Sequence, residues 1–188
     1  MKVGFFTHGI MKPQLIFVTG GARSGKSQFA QDCALLLPGR KVYIATAEPL
    51  DEEMAEKILA HRKMRPPDWG TVEEPRHLGK AVRKCAATYD VLLIDCLTLW
   101  ISNLLANYAL KEKEINGEVR ILVENCKSVS STVIMVSNEL GMGIVPLDSL
   151  TRHYRDIVGK ANQQVAAAAD EVFLLVSGIS LKIQGNTD

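Results

Sequence analysis

Leu15-Ile16-Phe17-Val18-Thr19-Gly20-Gly21-Ala22-Arg23-Ser24-Gly25-Lys26-Ser27 is the stretch on which the fold turns. Its first residues form an almost continuous apolar run, the pattern of a strand buried on both faces. The next eight satisfy G-x-x-x-x-G-K-[ST], and the segment from about Lys26 to Leu36 reads as a helix. In that order, strand, glycine loop and helix make a phosphate-binding turn. The glycines let the backbone of Gly20, Gly21, Ala22, Arg23, Ser24 and Gly25 curl, so that successive N–H groups can face the phosphates of a purine nucleoside triphosphate. Lys26 is expected to bridge the β- and γ-phosphates, and the Ser27 hydroxyl to ligate Mg²⁺. The bare pattern also fits an ordinary glycine turn; the flanking strand and helix favour the phosphate site.

Outward from this unit, short β-rich runs alternate with helical patterns. Strands are predicted at Leu15–Thr19, Val42–Thr46, Val91–Asp95, Thr132–Ser137 and Val172–Val176. Helical spacing joins Leu78, Ala81, Val82 and Cys85, then Ile115, Val119, Leu122, Cys126 and Val129, then Leu150, Tyr154, Ile157, Ala161 and Val165. Pro49 and the acidic Asp51-Glu52-Glu53 open a further helix that runs to about Lys63. The alternation predicts an α/β chain: a single-domain P-loop NTPase fold with a mostly parallel sheet flanked by helices. Residues 13–188 are expected to form that domain, with residues 1–12 as an extension outside it. Its binding crevice belongs at the carboxyl ends of the strands.

Composition sets the outer bounds. A formal net charge of +1 over 188 residues leaves no broad basic footprint, so no nucleic-acid partner is expected. The greasy stretch Val91 to Ala106 is short and interrupted by Asp95, Thr98, Ser102 and Asn103, so no membrane span is expected. Cys33, Cys85, Cys96 and Cys126 form no C-x-x-C pair and read as buried thiols in a reducing compartment. The first residues lack a signal-peptide core. A cytoplasmic location is the resulting expectation.

Two further residues bear on chemistry. Asp95 ends the run Val91-Leu92-Leu93-Ile94, where a carboxylate leaving the core could hold Mg²⁺ directly or through water. Taken alone, it could equally cap the following segment. His61 sits among Arg62, Lys63 and Arg65 at the basic end of its helix. It continues the stripe of Met54 and Ile58, so covering the core is one reading. The other is that the crowded cations favour a neutral imidazole, the form that attacks phosphorus, and help neutralise a triphosphate undergoing substitution. Ser137-Asn138-Glu139-Leu140 lacks the Asn-Lys-x-Asp expected of a GTPase switch, and no aromatic or basic tract marks a nucleic-acid channel.

The chain resembles the bifunctional adenosylcobinamide kinase / adenosylcobinamide-phosphate guanylyltransferase family of cobalamin biosynthesis. The resemblance lies in Val18 to Ser27, Tyr43-Ile44-Ala45-Thr46-Ala47, Asp51-Glu52-Glu53-Met54, His61 with Arg65-Pro66 and Trp69, and Asn138-Glu139-Leu140-Gly141-Met142-Gly143-Ile144-Val145-Pro146. It continues through Arg152-His153-Tyr154-Arg155-Asp156, Asn162-Gln163 and Ala166 to Gly178. It implies two reactions: phosphorylation of the hydroxyl on the aminopropanol arm of adenosylcobinamide, then transfer of GMP from GTP to adenosylcobinamide phosphate. The second passes through a guanylyl-histidine, which the resemblance places on His61.

The same resemblance implies that Ala45, Thr46, Ala47, Arg62, Lys63, Met64, Arg65, Glu73 and Asp95 line the nucleotide site. Glu73 would accept from the guanine N1–H and amino group, or else be a solvated loop carboxylate. GTP, or ATP in the kinase step, would be the phosphoryl donor, and the assembly a homotrimer. A plain P-loop kinase of another small alcohol and a nucleotide-binding regulatory module are the competing readings. Trp69 and Trp100 are expected to pack rather than to carry a corrin ring.

Overall fold

A computed structural model describes residues 12–49, 52–63 and 66–185. Most of the expected extension, residues 1–11, therefore lies outside the described residues. In chain order the elements are β1 (Leu15–Gly20), α1 (Lys26–Leu36), β2 (Lys41–Ala45), α2 (Glu52–Lys63), β3 (Gly70–Glu73), α3 (Leu78–Ala86) and β4 (Val91–Asp95). They continue as α4 (Leu97–Ala106), α5 (Glu112–Ser128), β5 (Thr132–Asn138), α6 (Ser149–Ala168), β6 (Glu171–Val176) and β7 (Ile179–Gln184). One sheet runs in the order β3-β2-β4-β5-β1-β6-β7. Every pairing among β1 to β6 is parallel; only β7 runs antiparallel, against β6. The chain is thus a single-domain α/β protein with a mostly parallel sheet.

The side-chain alternation of the strands divides the core in two. Leu15, Phe17, Val42, Ile44, Leu92, Ile94, Val133 and Met135 pack under α3, α4, α5 and α6. Ile16, Val18, Tyr43, Leu93, Ile134, Val136, Phe173 and Leu175 face the other way, onto Ala30, Cys33, Ala34 and Leu37 at α1. Both faces of the central strands are dry, which is why they read as unbroken apolar runs. All four cysteines are free and buried. Among the described residues no helix is long and apolar enough to cross a membrane.

Three elements were not foreseen. β3 is a four-residue edge strand of half-exposed residues, and β7 carries its apolar residues at alternate positions rather than in a run. The helix α4 follows β4 after a single residue, so both fall in one continuous greasy stretch. Its N-cap is Cys96, which settles the alternative left open for Asp95: that carboxylate does not cap the helix. His77 is the N-cap position of α3 but makes no side-chain cap; the Glu74 carboxylate instead holds the turn before the helix, accepting from the Arg76 and His77 amides at 3.0 and 2.7 Å.

Trp100 is completely buried in α4, and its Nε1–H donates to the Arg76 carbonyl at 3.0 Å. The ring is a core residue, not a surface platform. Trp100→Ala should therefore cost about 3–5 kcal/mol of stability, measured by urea denaturation. A loss below about 1 kcal/mol would contradict the packing role.

Candidate active site

Because β1 to β6 run parallel, their carboxyl ends emerge on one edge of the sheet. Along that edge lie Glu73 (β3), Ala45 (β2), Asp95 (β4), Asn138 (β5), Gly20 (β1) and Val176 (β6), in that order. Ala45 is in register with both Glu73 and Asp95. At about 4.8 Å per strand, Asp95 stands roughly 10 Å from Gly20 and Glu73 roughly 20 Å from it. The fold thus gathers on one rim residues that are scattered through the chain.

The glycine loop occupies residues 20–25 between β1 and α1. Gly20 is needed for close approach: a Cβ there would meet the Leu175 carbonyl oxygen at 2.5 Å and Ser24 Oγ at 2.7 Å. Gly25 is needed for its backbone, with φ of 91° as it turns into the helix. Arg23 also adopts a left-handed conformation, with φ of 55°. Three contacts hold the curl. Gly20 O accepts from the Glu139 amide at 3.0 Å, Gly21 O from Lys26 Nζ at 3.0 Å, and Ser24 O from the Gly178 amide at 2.9 Å. No side chain caps α1, so the N–H groups of its first turn remain available to an anion. Burial pushes the Lys26 ammonium below the ordinary lysine range, and the Asp95 carboxylate opposes that shift. Ser27, one residue on, is half-buried.

Asp95 ends β4 with Oδ2 accepting from the Tyr43 hydroxyl at 2.6 Å. Next to it the Thr46 side chain, fully buried, forms a two-way clamp: Oγ1 donates to the Cys96 carbonyl and accepts from the Cys96 amide, both at 2.8 Å. The Thr46 backbone is also engaged, its N–H with the Asp95 carbonyl at 3.2 Å and its carbonyl with Asn103 Nδ2 at 2.7 Å. Its part is to fix the peptide that presents Asp95. Ala47, by contrast, is half-exposed beside it. The Cys96 thiol is pushed up to about 12 by burial and by the Asp95 carboxylate, so it stays neutral and inert.

Residue 61 lies in the last turn of α2, in the crossover from β2 to β3. The side chains of His61 and Lys63, and the whole of Met64 and Arg65, lie outside the described residues. The neighbouring Arg62 does reach the rim: Nε donates to Glu73 Oε1 at 3.0 Å, and Nη2 pairs with the same oxygen. Glu73 is thus an ion-paired carboxylate rather than a free one. Among the described residues no three His, Cys, Asp or Glu side chains converge as a metal cluster.

Sequence reasoning gives no role to two parts of the rim and leaves a third, Glu139, as either structural or substrate-facing. Tyr43 was read only as a strand residue, yet it orients Asp95. The Ser177-Gly178 turn between β6 and β7 props the glycine loop. Glu139, directly after β5, lies against it. The signal for the last two was positional, since both follow a predicted strand end on the edge where ligands bind. Removal of the Thr46 hydroxyl should show how far the rim depends on that clamp. Thr46→Val leaves the buried Cys96 amide unpaired, while the Cys96 carbonyl keeps the Trp100 amide, and should cost on the order of 2 kcal/mol by denaturant titration, with Thr46→Ser close to wild type. Equal stability of Val and wild type would remove the clamp from the account.

Comparison with known proteins agrees with this geometry. Residues 16–183 match the family described as cobinamide kinase / cobinamide phosphate guanyltransferase. The chain is 46% identical over 182 residues to the bifunctional adenosylcobalamin biosynthesis protein CobU of Salmonella typhimurium, covering 90% of this chain and 99% of that one. CobU of Escherichia coli is 45% identical over 182 residues with the same shares covered. The bifunctional adenosylcobalamin biosynthesis protein CobP of Pseudomonas aeruginosa is 40% identical over 168 residues, covering 89% and 96%. On a match that spans nearly the whole sheet and every strand end of the rim, the chain belongs to the cobinamide kinase / cobinamide phosphate guanyltransferase family.

Proposed function

We propose that this enzyme phosphorylates adenosylcobinamide and then guanylylates the product, using one rim for both steps. The observation that carries the reading is the braced glycine loop, with Lys26 folded over it, on the same sheet edge as the Arg62–Glu73 pair that adjoins residue 61. The β1–loop–α1 unit is read as a Walker-type phosphate loop, and the domain as a P-loop NTPase fold. The backbone of residues 20–25 and the α1 N-terminus would hold the phosphates of GTP, or of ATP in the kinase step, and Lys26 would bridge the outer two.

The residues present fit a Mg²⁺ ion. Ser27 and Asp95 offer hard oxygen donors, and Asp95 Oδ1 takes no hydrogen bond among the described residues. Mg²⁺ keeps several waters and shares its shell with substrate phosphates, so one or two protein ligands suffice. When bound, the ion would neutralise charge on the transferring phosphoryl group. The Tyr43 hydroxyl, donating to Oδ2, fixes the Asp95 carboxylate at the strand end.

In guanylyl transfer, a ring nitrogen of His61 attacks the α-phosphorus of GTP. An N–P bond forms, the bond to the bridging oxygen breaks, and pyrophosphate leaves. A phosphate oxygen of adenosylcobinamide phosphate then displaces the histidine. Arg62, Lys63 and Arg65 would offset the charge of the phosphates, with Met64 completing the lining. Glu73, held by Arg62, would accept from the guanine edge. Ala45 and Ala47 would border the nucleotide, with Thr46 bracing the peptide between them. The cytoplasm, a reducing compartment, suits the four buried free thiols.

The proposal extends to a homotrimer. Ile179, Leu181 and Ile183 stand exposed side by side on the edge strand β7, more apolar surface than scattered single residues account for. Sedimentation analysis should return a trimer; a monomer at micromolar concentration would overturn this part.

Intact-protein mass after incubation with GTP and Mg²⁺, without corrinoid, tests the histidine. Wild type should gain a guanylate, while His61→Ala should gain none and retain kinase turnover. Lys26→Ala should lose both activities. No adduct on wild type that binds GTP would leave a plain kinase with a structural His61.

A further inference from the structure

Beside the glycine loop lies a cavity of about 300 Å³ that shares Gly21 to Ser24 with the loop and is otherwise lined by residues the nucleotide assignments above do not use. Ala22 and Ser24 form one wall, Leu174 and Val176 of β6 another, and Glu139 with Met142 the third. Lys26 and Ser27, which face the phosphates in the reading above, do not line it. Ser24 is more than nine-tenths buried, and its hydroxyl has no hydrogen-bond partner among the described residues. A buried hydroxyl left unpaired in a cavity wall marks a place for a polar ligand atom.

Glu139 is the one carboxylate in that lining. Its backbone N–H is tied to Gly20 O at 3.0 Å, which fixes the residue against the root of the loop. Its Oε1 accepts from the Gly141 amide at 2.6 Å, while Oε2 makes no hydrogen bond among the described residues. The other carboxylates of the rim are committed elsewhere: Asp95 to Tyr43, Glu73 to Arg62, and Glu48 to Asn107. Outside the cavity the wall continues into exposed apolar surface, with Met142 79% and Ile144 96% exposed.

We infer that this cavity is the acceptor site of the kinase step, and that Glu139 is the carboxylate that orients the acceptor alcohol and takes its proton. The inference rests on the kinase reading above and names a residue and a pocket for it. Size supports the match: 300 Å³ admits a hydroxyl-bearing arm but not a corrin macrocycle, which would rest on the apolar surface of Met142 and Ile144 outside. The alcohol oxygen attacks the γ-phosphorus. The bond from that phosphorus to the β,γ-bridging oxygen breaks, the nucleoside diphosphate leaves, and the hydroxyl proton passes to Glu139 Oε2. Phosphoryl transfer of this kind asks its carboxylate mainly to aim the nucleophile, so a position fixed to the loop matters more than basicity.

The competing role for Glu139 is structural, as a brace for the Gly141 turn, and the two separate cleanly. Glu139→Gln keeps an Oε1 acceptor for the Gly141 amide and loses only the charged oxygen. Steady-state kinetics of the full chain with adenosylcobinamide and GTP should show kcat for corrinoid phosphorylation lowered about 100-fold or more, with the KM for GTP within about threefold. Glu139→Asp should recover part of the loss. Val176→Asp, in the apolar wall, should raise the KM for adenosylcobinamide at least about tenfold at unchanged KM for GTP. Glu139→Gln within threefold of wild type, with Glu139→Ala impaired, would overturn the inference and leave Glu139 a brace. An unchanged corrinoid KM in Val176→Asp would remove the cavity as the acceptor site. Wild type that phosphorylates no corrinoid at all would instead sink the kinase reading on which both rest.

Discussion

A strand buried on both faces can carry no charge along its length, because an unpaired ion in a dry layer costs far more than one strand contributes. That constraint places the chemistry. The central strands carry no charge where they are covered, and their buried polar residues Thr19, Thr132 and Ser137 sit at or next to strand ends, so charged side chains appear only where the strands start or stop. Since six of the seven run in one direction, all their polar exits fall on one rim. Asp95 illustrates the rule: four fully dry residues precede it, and it is the first position of β4 with access to water.

The rim is then stiffened by hydrogen bonds that tie one strand end to the next. Glu139 ties the end of β5 to the end of β1, Gly178 ties the β6–β7 turn to the loop, and Thr46 ties β2 to the peptide after β4. Each contact joins segments distant in sequence, and each is main chain on at least one side. A loop held this way presents its N–H groups before any ligand arrives, which spares the ordering cost of binding. The helix α1, which packs on the Leu93 face through Ala30, Cys33 and Ala34, grows directly from that loop, so the same packing also positions the loop.

How much of this was legible in the sequence depended on how loudly each element's pattern spoke. β1, β4 and β5 were read almost to the residue, because dry strands leave unbroken apolar runs. β3 was missed because Gly70-Thr71-Val72-Glu73 is short, half-wet and contains one strong strand former. β7 was missed for a different reason: Ile179, Leu181 and Ile183 alternate with polar residues, unlike the continuous apolar runs that mark the doubly covered strands. α4 vanished into the apolar stretch it shares with β4. At the site, the loop was legible from its motif alone. Arg62–Glu73, Tyr43–Asp95 and the position of Glu139 depend on strand order, which local pattern does not specify.

The tie between Gly178 and Ser24 has a further consequence. The proton on the Gly178 amide can exchange with solvent only when that bond opens, so its exchange rate measures how often the hairpin and the loop part. Two segments more than 150 positions apart in the chain therefore share one local opening equilibrium. Whatever quiets the loop should slow deuterium uptake at the hairpin tip, which makes a residue with no chemistry of its own a gauge of the glycine loop.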